Sequence, residues 1–263
     1  SPEDIKTARE LQHGITVTAP ATHPHTRTER AGRATTIAQA GAEYFTELKR
    51  YIELDPPAPW HPSLSPAAQA IVDNPSSVAT KVLAAGVAEG EQLILRGNGS
   101  DAVKRNGWST GRAATGSGDD ILKRAVGAKF GLGGHQAIEN RSYAAQADAQ
   151  GNRIDGTKPL TLRFAADNKP PCSAFWSLTA YGPDMYLVEN AIDRWSISDR
   201  TSDLNYDENG GLTITLSYEQ PTAMTNWLPV PAGPYLLGLR VYEGHDEVVN
   251  CAWFPPTLNP AND

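Results

Sequence analysis

Arginine, aspartate and aromatic side chains recur in the second half of the sequence, where together they could recognise a polar ligand. Guanidinium groups donate forked hydrogen bonds to carboxylates and hydroxyls, and tyrosine or tryptophan rings pack against flat ligand surfaces such as sugars. The candidate charged residues are Arg163, Asp193, Arg194 and Arg240. The candidate aromatic and amide residues are Tyr181, Trp195, Asn226 and Trp227. The alternative is a structural network that ties loops to the body of the protein, and the sequence leaves both interpretations open.

The dipeptide Asn226-Trp227 presents the same choice within the proline-punctuated stretch TAMTNWLPVPAGP, residues 222–234. An asparagine amide can bond two backbone groups of a turn. A tryptophan at this point could fill one end of a β-sandwich, while Pro229 and Pro231 keep the following segment extended. We favour this structural role. The alternative is a binding site in which Asn226, Trp227 and Arg240 converge.

Other clusters give weaker indications of chemistry. His23-Pro-His25 with His13 could share a metal, but no cysteine or carboxylate lies near enough in sequence to complete a set, so we predict no metal site. His245 is flanked by carboxylates in EGHDE and could form an acid–base group, but we favour the alternative, an acidic solvated turn. Glycine-rich pieces at 97–101, 116–120 and 131–136 lack the frame of a phosphate-binding loop, and we predict no cofactor.

Composition and charge limit the partners. The chain has 263 residues and a formal net charge of −7, which argues against nucleic acid or an anionic membrane surface. No apolar run approaches the roughly 18 residues of a membrane-spanning helix. The opening SPEDIKTARE has no signal-peptide pattern, so either none existed or it was removed. Cys172 and Cys251 are either free thiols or one disulfide, and we favour a secreted or periplasmic location over a cytoplasmic one.

The elements that must position these residues change character near residue 155. Before it, apolar spacing predicts helices within 34–55, 66–88 and 119–131. After it, short segments alternate apolar and polar residues and are separated by turn clusters such as DENGG, which predicts a mostly antiparallel sandwich between 158 and 254. In AFWSLTAY, the apolar set Trp176, Leu178 and Ala180 should form the inner face of its strand.

Five segments of this β-rich half carry a family resemblance: PPCSAFWSLTAYG, ENAIDRWSIS, NGGLTITLS, TNWLPVPAGPYLLGLRVYEG and AWFPPTL. They resemble, in the same order, the domain of unknown function 1214, over about residues 120–258. In relatives that domain follows a domain of unknown function 1254, whose helical connector the preceding residues resemble. The resemblance implies an α+β protein: a jelly-roll-like antiparallel β-sandwich (132–263) preceded by a mainly helical portion (34–131) and an extended arm (1–33).

The resemblance also adds residues to the candidate site. Relatives carry a tyrosine ahead of an Asp-x-x-Gly turn, which Tyr143 and Asp148 match approximately. A nearby arginine could lower the pKa of such a tyrosine and make it an acid or base. With His135, these residues suggest an enzyme whose cleft lies between helices and sandwich, performing hydrolysis or elimination on a carbohydrate-like or carboxylated substrate. The alternatives are a non-catalytic ligand-binding module and an assembly module that forms a homo-oligomer.

Overall fold

The structure is a computed structural model of the chain. It describes Lys6 and residues 37–56, 64–112, 116, 118, 120–131, 133–148, 150–222 and 226–261. The histidine set His13, His23 and His25, and nearly all of the extended arm, lie outside the described residues.

Helices dominate the first part of the described chain, as the apolar spacing predicts. Ser65 caps one helix by accepting a hydrogen bond from the Ala68 amide, and Asp120 caps another by accepting from the Lys123 amide. The helices are α1 (Ile37–Ala40), α2 (Glu43–Leu54), α3 (Pro66–Asp73), α4 (Thr80–Gly97), α5 (Ile121–Phe130) and α6 (Asp246–Val249), with a 3₁₀ turn at Pro75–Ser77. None of these described helices is long and apolar enough to cross a membrane.

Glu91 of α4 is a buried carboxylate that joins three helices. It accepts hydrogen bonds from the Ala38 amide of α1 at 2.9 Å and from Lys129 Nζ of α5 at 3.2 Å. The bond from the Ala38 amide is the main reason why the pKa of Glu91 lies below its usual range, and Lys129 adds to it. The helical portion is therefore fixed partly by one charged group.

In the residues that the structure describes, ten strands form two sheets. They are β1 (Ala102–Arg105), β2 (Trp108–Gly111), β3 (Asn140–Ala145), β4 (Leu160–Phe164), β5 (Cys172–Tyr181), β6 (Ser196–Ser198), β7 (Leu212–Ser217), β8 (Trp227–Pro229), β9 (Leu236–Gly244) and β10 (Leu258–Pro260). One sheet has the order β1-β2-β3-β9-β5-β6 and the other β10-β4-β7-β8. All neighbours are antiparallel except β7 and β8. The predicted α+β class with an antiparallel sandwich is confirmed.

The hairpin β1–β2 lies inside the range that was expected to be a helical connector, yet it pairs with β3 and extends the larger sheet. Its turn is Asn106-Gly107, with φ of 56° and 81°. Two consecutive positive φ values suit the right-handed twist of a two-residue hairpin, and Asn-Gly adopts them readily.

The core lies between the two sheets. Trp176, Leu178 and Ala180 of β5 are buried, which confirms the predicted inner face of that strand. Leu162 and Ile214 of the smaller sheet are fully buried in the same apolar cluster. Alternation then places Ser142 of β3, Ser177 of β5 and Arg240 of β9, which are neighbours across the strands, on the opposite, outer face of the six-stranded sheet.

Both cysteines are free, so the disulfide that the sequence allowed is not formed. Cys172 pairs with Gly244 at the ends of β5 and β9, whereas the Cys251 sulfur lies 4.0 Å from the Gly111 carbonyl oxygen at the end of β2. Burial, with a smaller contribution from the Asp199 charge, raises the pKa of Cys172 to about 11.

Candidate ligand-binding groove

An open groove of about 770 Å³ lies on the outer face of the six-stranded sheet. Its floor comes from β2, β3, β5 and β9, and one wall comes from the end of α5 and the glycine-rich segment that follows. Its polar and aromatic lining residues include Phe130, His135, Asn140, Ser142, Tyr181, Arg240 and Tyr242. The groove thus lies between a helix and the sandwich.

Strand register brings the floor residues together from positions far apart in sequence. Ser142 of β3 is directly opposite Arg240 of β9, and Asn140 is opposite Tyr242. Gly238 leaves room for two of the neighbouring side chains. A Cβ atom at this position would lie 3.3 Å from Tyr181 Cε2 and 3.4 Å from an Arg240 guanidinium nitrogen. A larger residue at 238 would therefore displace the tyrosine ring or the guanidinium group.

Arg240 is the charged group of this floor. It is half-buried, and its guanidinium carbon lies 5.6 Å from the centre of the Tyr181 ring. Among the described residues, its side chain has no carboxylate and no hydrogen-bond acceptor as a partner. A partly desolvated guanidinium with five unused donors is a ready binding point for an anion.

Asn140 supplies a second unused donor in the groove. Its Oδ1 accepts a hydrogen bond from the Ser142 hydroxyl at 2.9 Å, but its buried Nδ2 has no partner among the described residues. The residue is only 8% exposed. An unpaired buried amide donor costs free energy, which a ligand oxygen could offset.

His135 lies on the groove wall. Its Nδ1 is 3.5 Å from Glu139 Oε2, and its ring meets the edge of Tyr242 with 6.4 Å between centres. Both side chains of this pair are more than half exposed, so the imidazole is accessible to a molecule bound in the groove. His135 was predicted as a binding residue, and it lies in the same groove as Tyr181 and Arg240.

The prediction that Tyr143 is an acid or base of the site was wrong. Tyr143 lies on β3 next to Ser142, but alternation turns its side chain away from the groove into the core, where it is completely buried. Its hydroxyl donates a hydrogen bond to the Trp253 carbonyl at 3.1 Å, and its ring packs edge-on against Trp253 and Phe254. Burial outweighs the nearby Arg141 charge and raises the pKa of Tyr143. The expected lowering of the pKa was wrong.

Two of the other predicted arginines are already ion-paired outside the groove. Arg163 pairs with Asp207 at 2.6 Å, and Arg194 pairs with Asp203 at 2.5 Å. Arg194 also donates to the Trp227 carbonyl at 3.3 Å. Both arginines therefore already have the kind of partner that a ligand would supply.

The remaining predicted residues also lie outside the groove lining. Asp193 has φ of 51° in a turn, where its amide donates to the Asn190 carbonyl at 3.3 Å. Trp195 is 40% exposed on the same loop. Asn226 and Trp227 are buried at the start of β8, and their side chains bond backbone groups. Of ten predicted residues, the groove thus gathers the side chains of three: His135, Tyr181 and Arg240.

Sequence reasoning missed four of these groove residues: Phe130, Tyr242 and the β3 pair Asn140 and Ser142. Period-two alternation in NRSYAA would have placed both on the face opposite Tyr143, once this segment was taken as a strand. In the described part of the chain, no cluster of three histidine, cysteine or carboxylate residues could hold a metal ion.

The structure therefore defines an α+β protein with an antiparallel sandwich and a polar groove on one sheet. Residues 139–246 match the family described as "Protein of unknown function (DUF1214)", which confirms the predicted family for the C-terminal part of the chain. A search of curated proteins finds no match for this sequence.

Two crystal structures are similar to this chain. The VPA0106 protein from Vibrio parahaemolyticus matches with a TM-score of 0.55 and 21% identity, over 100% of this chain and 66% of that one. An uncharacterized protein from Burkholderia cenocepacia matches with a TM-score of 0.32 and 15% identity, over 84% of this chain and 48% of that one. The chain thus spans about two thirds of the length of the Vibrio protein. The Vibrio structure supports the fold.

Proposed function

We propose that the protein binds a small anionic molecule in this groove, with a carboxylate of the ligand held by Arg240. The observation that carries the proposal is the half-buried Arg240 guanidinium, which has no counter-charge among the described residues. A partly desolvated cation without a partner is costly, and a bidentate carboxylate would offset that cost.

Two neighbours of Arg240 support a carboxylated ligand. The Nδ2 of Asn140 is buried and has no partner within the described chain, and a rotation of the amide towards the groove would let it donate to a further ligand oxygen. The Tyr181 ring below Arg240 holds the guanidinium by a cation–π contact and offers a flat surface to a ligand. Carbohydrate-like acids have both features, a carboxylate and hydroxyl oxygens that accept such hydrogen bonds.

Isothermal titration with acetate, benzoate and glucuronate, and with uncharged glucose, tests the proposal. Arg240→Gln removes the charge and should raise the Kd for the acids by tenfold or more, about the contribution of charge-assisted hydrogen bonds. Arg163→Gln is the matched control, because Arg163 is ion-paired with Asp207 away from the groove. Equal weakening by both variants, or no binding of any acid, would contradict the proposal.

Catalysis on the bound acid is a second candidate function, and the His135–Glu139 pair on the groove wall favours it. His135 would transfer a proton to or from the ligand during hydrolysis or elimination. Incubating the protein with each acid that binds, followed by mass spectrometry, separates the two functions. Turnover that His135→Gln abolishes without changing the Kd supports an enzyme. Ligands recovered unchanged support a non-catalytic binding module.

A further inference from the structure

Helix α5 presents to the groove an apolar stripe that stays partly exposed in the part of the chain that the structure describes. Leu122, Val126 and Phe130 are spaced four residues apart, so they lie on one face of the helix. Phe130 lines the groove, and all three line a depression that continues it. Val126 packs closely against Gly97 at the end of α4, yet Leu122 and Phe130 remain 41% and 43% exposed.

The second depression has a volume of about 740 Å³ and lies between α5 and the β1–β2 hairpin. It shares Phe130, His135, Ser142 and Ala144 with the groove, so the two depressions adjoin along the sheet, and together they are called the channel. From β5 to β1 the channel crosses four strand spacings, or about 19 Å.

The two sides of the channel differ in character. In the second depression the floor consists of small side chains, among them Ser109, Ser142 and Ala144, whereas the α5 stripe forms the apolar wall. The charged residues of the second depression, Asp101, Asp120 and Lys123, are exposed or half-buried and can stay hydrated while a ligand contacts the stripe. The one groove charge without a partner among the described residues, Arg240, lies on β9 towards the other end of the channel.

We infer that the ligand is an amphiphilic carboxylate: its acid group binds Arg240 and an extended apolar chain lies along Leu122, Val126 and Phe130. This inference rests on the proposed function, since Arg240 fixes the end from which the chain runs. Three features indicate such a ligand: the cation at one end of the channel, the apolar helix face beyond it, and a channel length that suits a chain better than a compact molecule. Covering the stripe removes apolar surface from water, which gives the chain its affinity.

A chain-length series tests the inference. Butanoate, octanoate and dodecanoate, each below its micelle concentration, are titrated into the whole protein by calorimetry. Each buried methylene should lower the Kd by up to about fourfold, so dodecanoate should bind much more tightly than butanoate. Phe130→Ser and the near-isosteric Val126→Thr should weaken dodecanoate, the former by tenfold or more, and change butanoate by less than twofold.

Ile121→Ser is the matched control, because Ile121 is 79% exposed on α5 and does not line the channel. It should leave both affinities unchanged. Equal affinity for the three acids, or equal effects of Ile121→Ser and Phe130→Ser, would overturn the apolar-chain inference. If binding still depended on Arg240, the proposed function would stand. Absence of any Arg240-dependent acid binding would overturn both.

Discussion

The side-chain amide of Asn226 bonds both the amide and the carbonyl of Asn205. Asn226 Oδ1 accepts from the Asn205 amide at 2.9 Å, and Nδ2 donates to the Asn205 carbonyl at 2.6 Å and to the Thr213 carbonyl at 3.0 Å. One buried amide thus joins the loop before β7, the strand β7 and the start of β8. The prediction that this amide bonds backbone groups is confirmed.

Replacing Asn226 by alanine should destabilise the protein by about 1–3 kcal/mol, because partly buried backbone groups of Asn205 and Thr213 lose their partner. Urea denaturation followed by tryptophan fluorescence measures the change. Asn226 has φ of 54°, a conformation that alanine tolerates poorly and glycine well. Asn226→Gly therefore isolates the amide from the backbone strain. A glycine variant as stable as the wild type would show that the amide bonds contribute nothing.

Trp227→Ala should cost more, about 3–5 kcal/mol, because the indole is 4% exposed and its removal leaves a cavity. The variant also loses the bond from Nε1 to the Ser217 carbonyl at 3.2 Å. Trp195→Ala is the control, since Trp195 is 40% exposed and should contribute far less. A Trp227→Ala protein of unchanged stability that failed to bind ligand would instead place Trp227 in the site.

Local signals predicted much of the fold. Pro56 after α2, the capping Asp120 before α5 and period-two alternation in β5 and β7 all act within a few residues, and the elements form where these signals lie. The β1–β2 hairpin had its own local signal, Asn106-Gly107, which the helical rhythm around it obscured. Its position in the sheet depends on pairing with β3 across the intervening α5, and no local pattern encodes that pairing.

The site was harder to predict from the sequence, because its decisive property is that Arg240 has no ion-pair partner among the described residues. From the sequence alone, the three arginines Arg163, Arg194 and Arg240 are equivalent candidates for a ligand-binding residue. Only the fold shows that Asp207, 44 residues away, pairs with Arg163, whereas Arg240 faces the groove without a counter-charge among the described residues. The prediction for Tyr143 was wrong for a related reason. The chemistry of Tyr143 depends on which face of β3 it occupies, and one residue of register decides that.

Two buried tyrosines should respond differently to loss of the hydroxyl. Tyr143→Phe removes the bond to the Trp253 carbonyl and should destabilise the protein by about 1–3 kcal/mol. The Tyr235 hydroxyl is buried without a partner among the described residues, so Tyr235→Phe should leave stability unchanged or raise it. Thermal and urea unfolding of both variants at pH 7 gives the comparison. A Tyr235→Phe protein as destabilised as Tyr143→Phe would show that the Tyr235 hydroxyl has a partner, such as a buried water.

Asp207 should make stability depend on pH in the acid range. Hydrogen bonds from the Gly211 amide and then from Arg163 hold its pKa below the usual range. A carboxyl with a lowered folded-state pKa contributes its full stability above its unfolded pKa of about 3.9, and that contribution disappears as the pH falls through the lower folded value. Asp207→Asn should therefore be less stable than the wild type at pH 7, and the difference should shrink between pH 4 and pH 2. Urea denaturation at fixed salt concentration measures both proteins across this range, with Glu208→Gln at the exposed neighbouring position as the control. A difference that stays constant from pH 7 to pH 2 would show that the charge of Asp207 does not stabilise this turn.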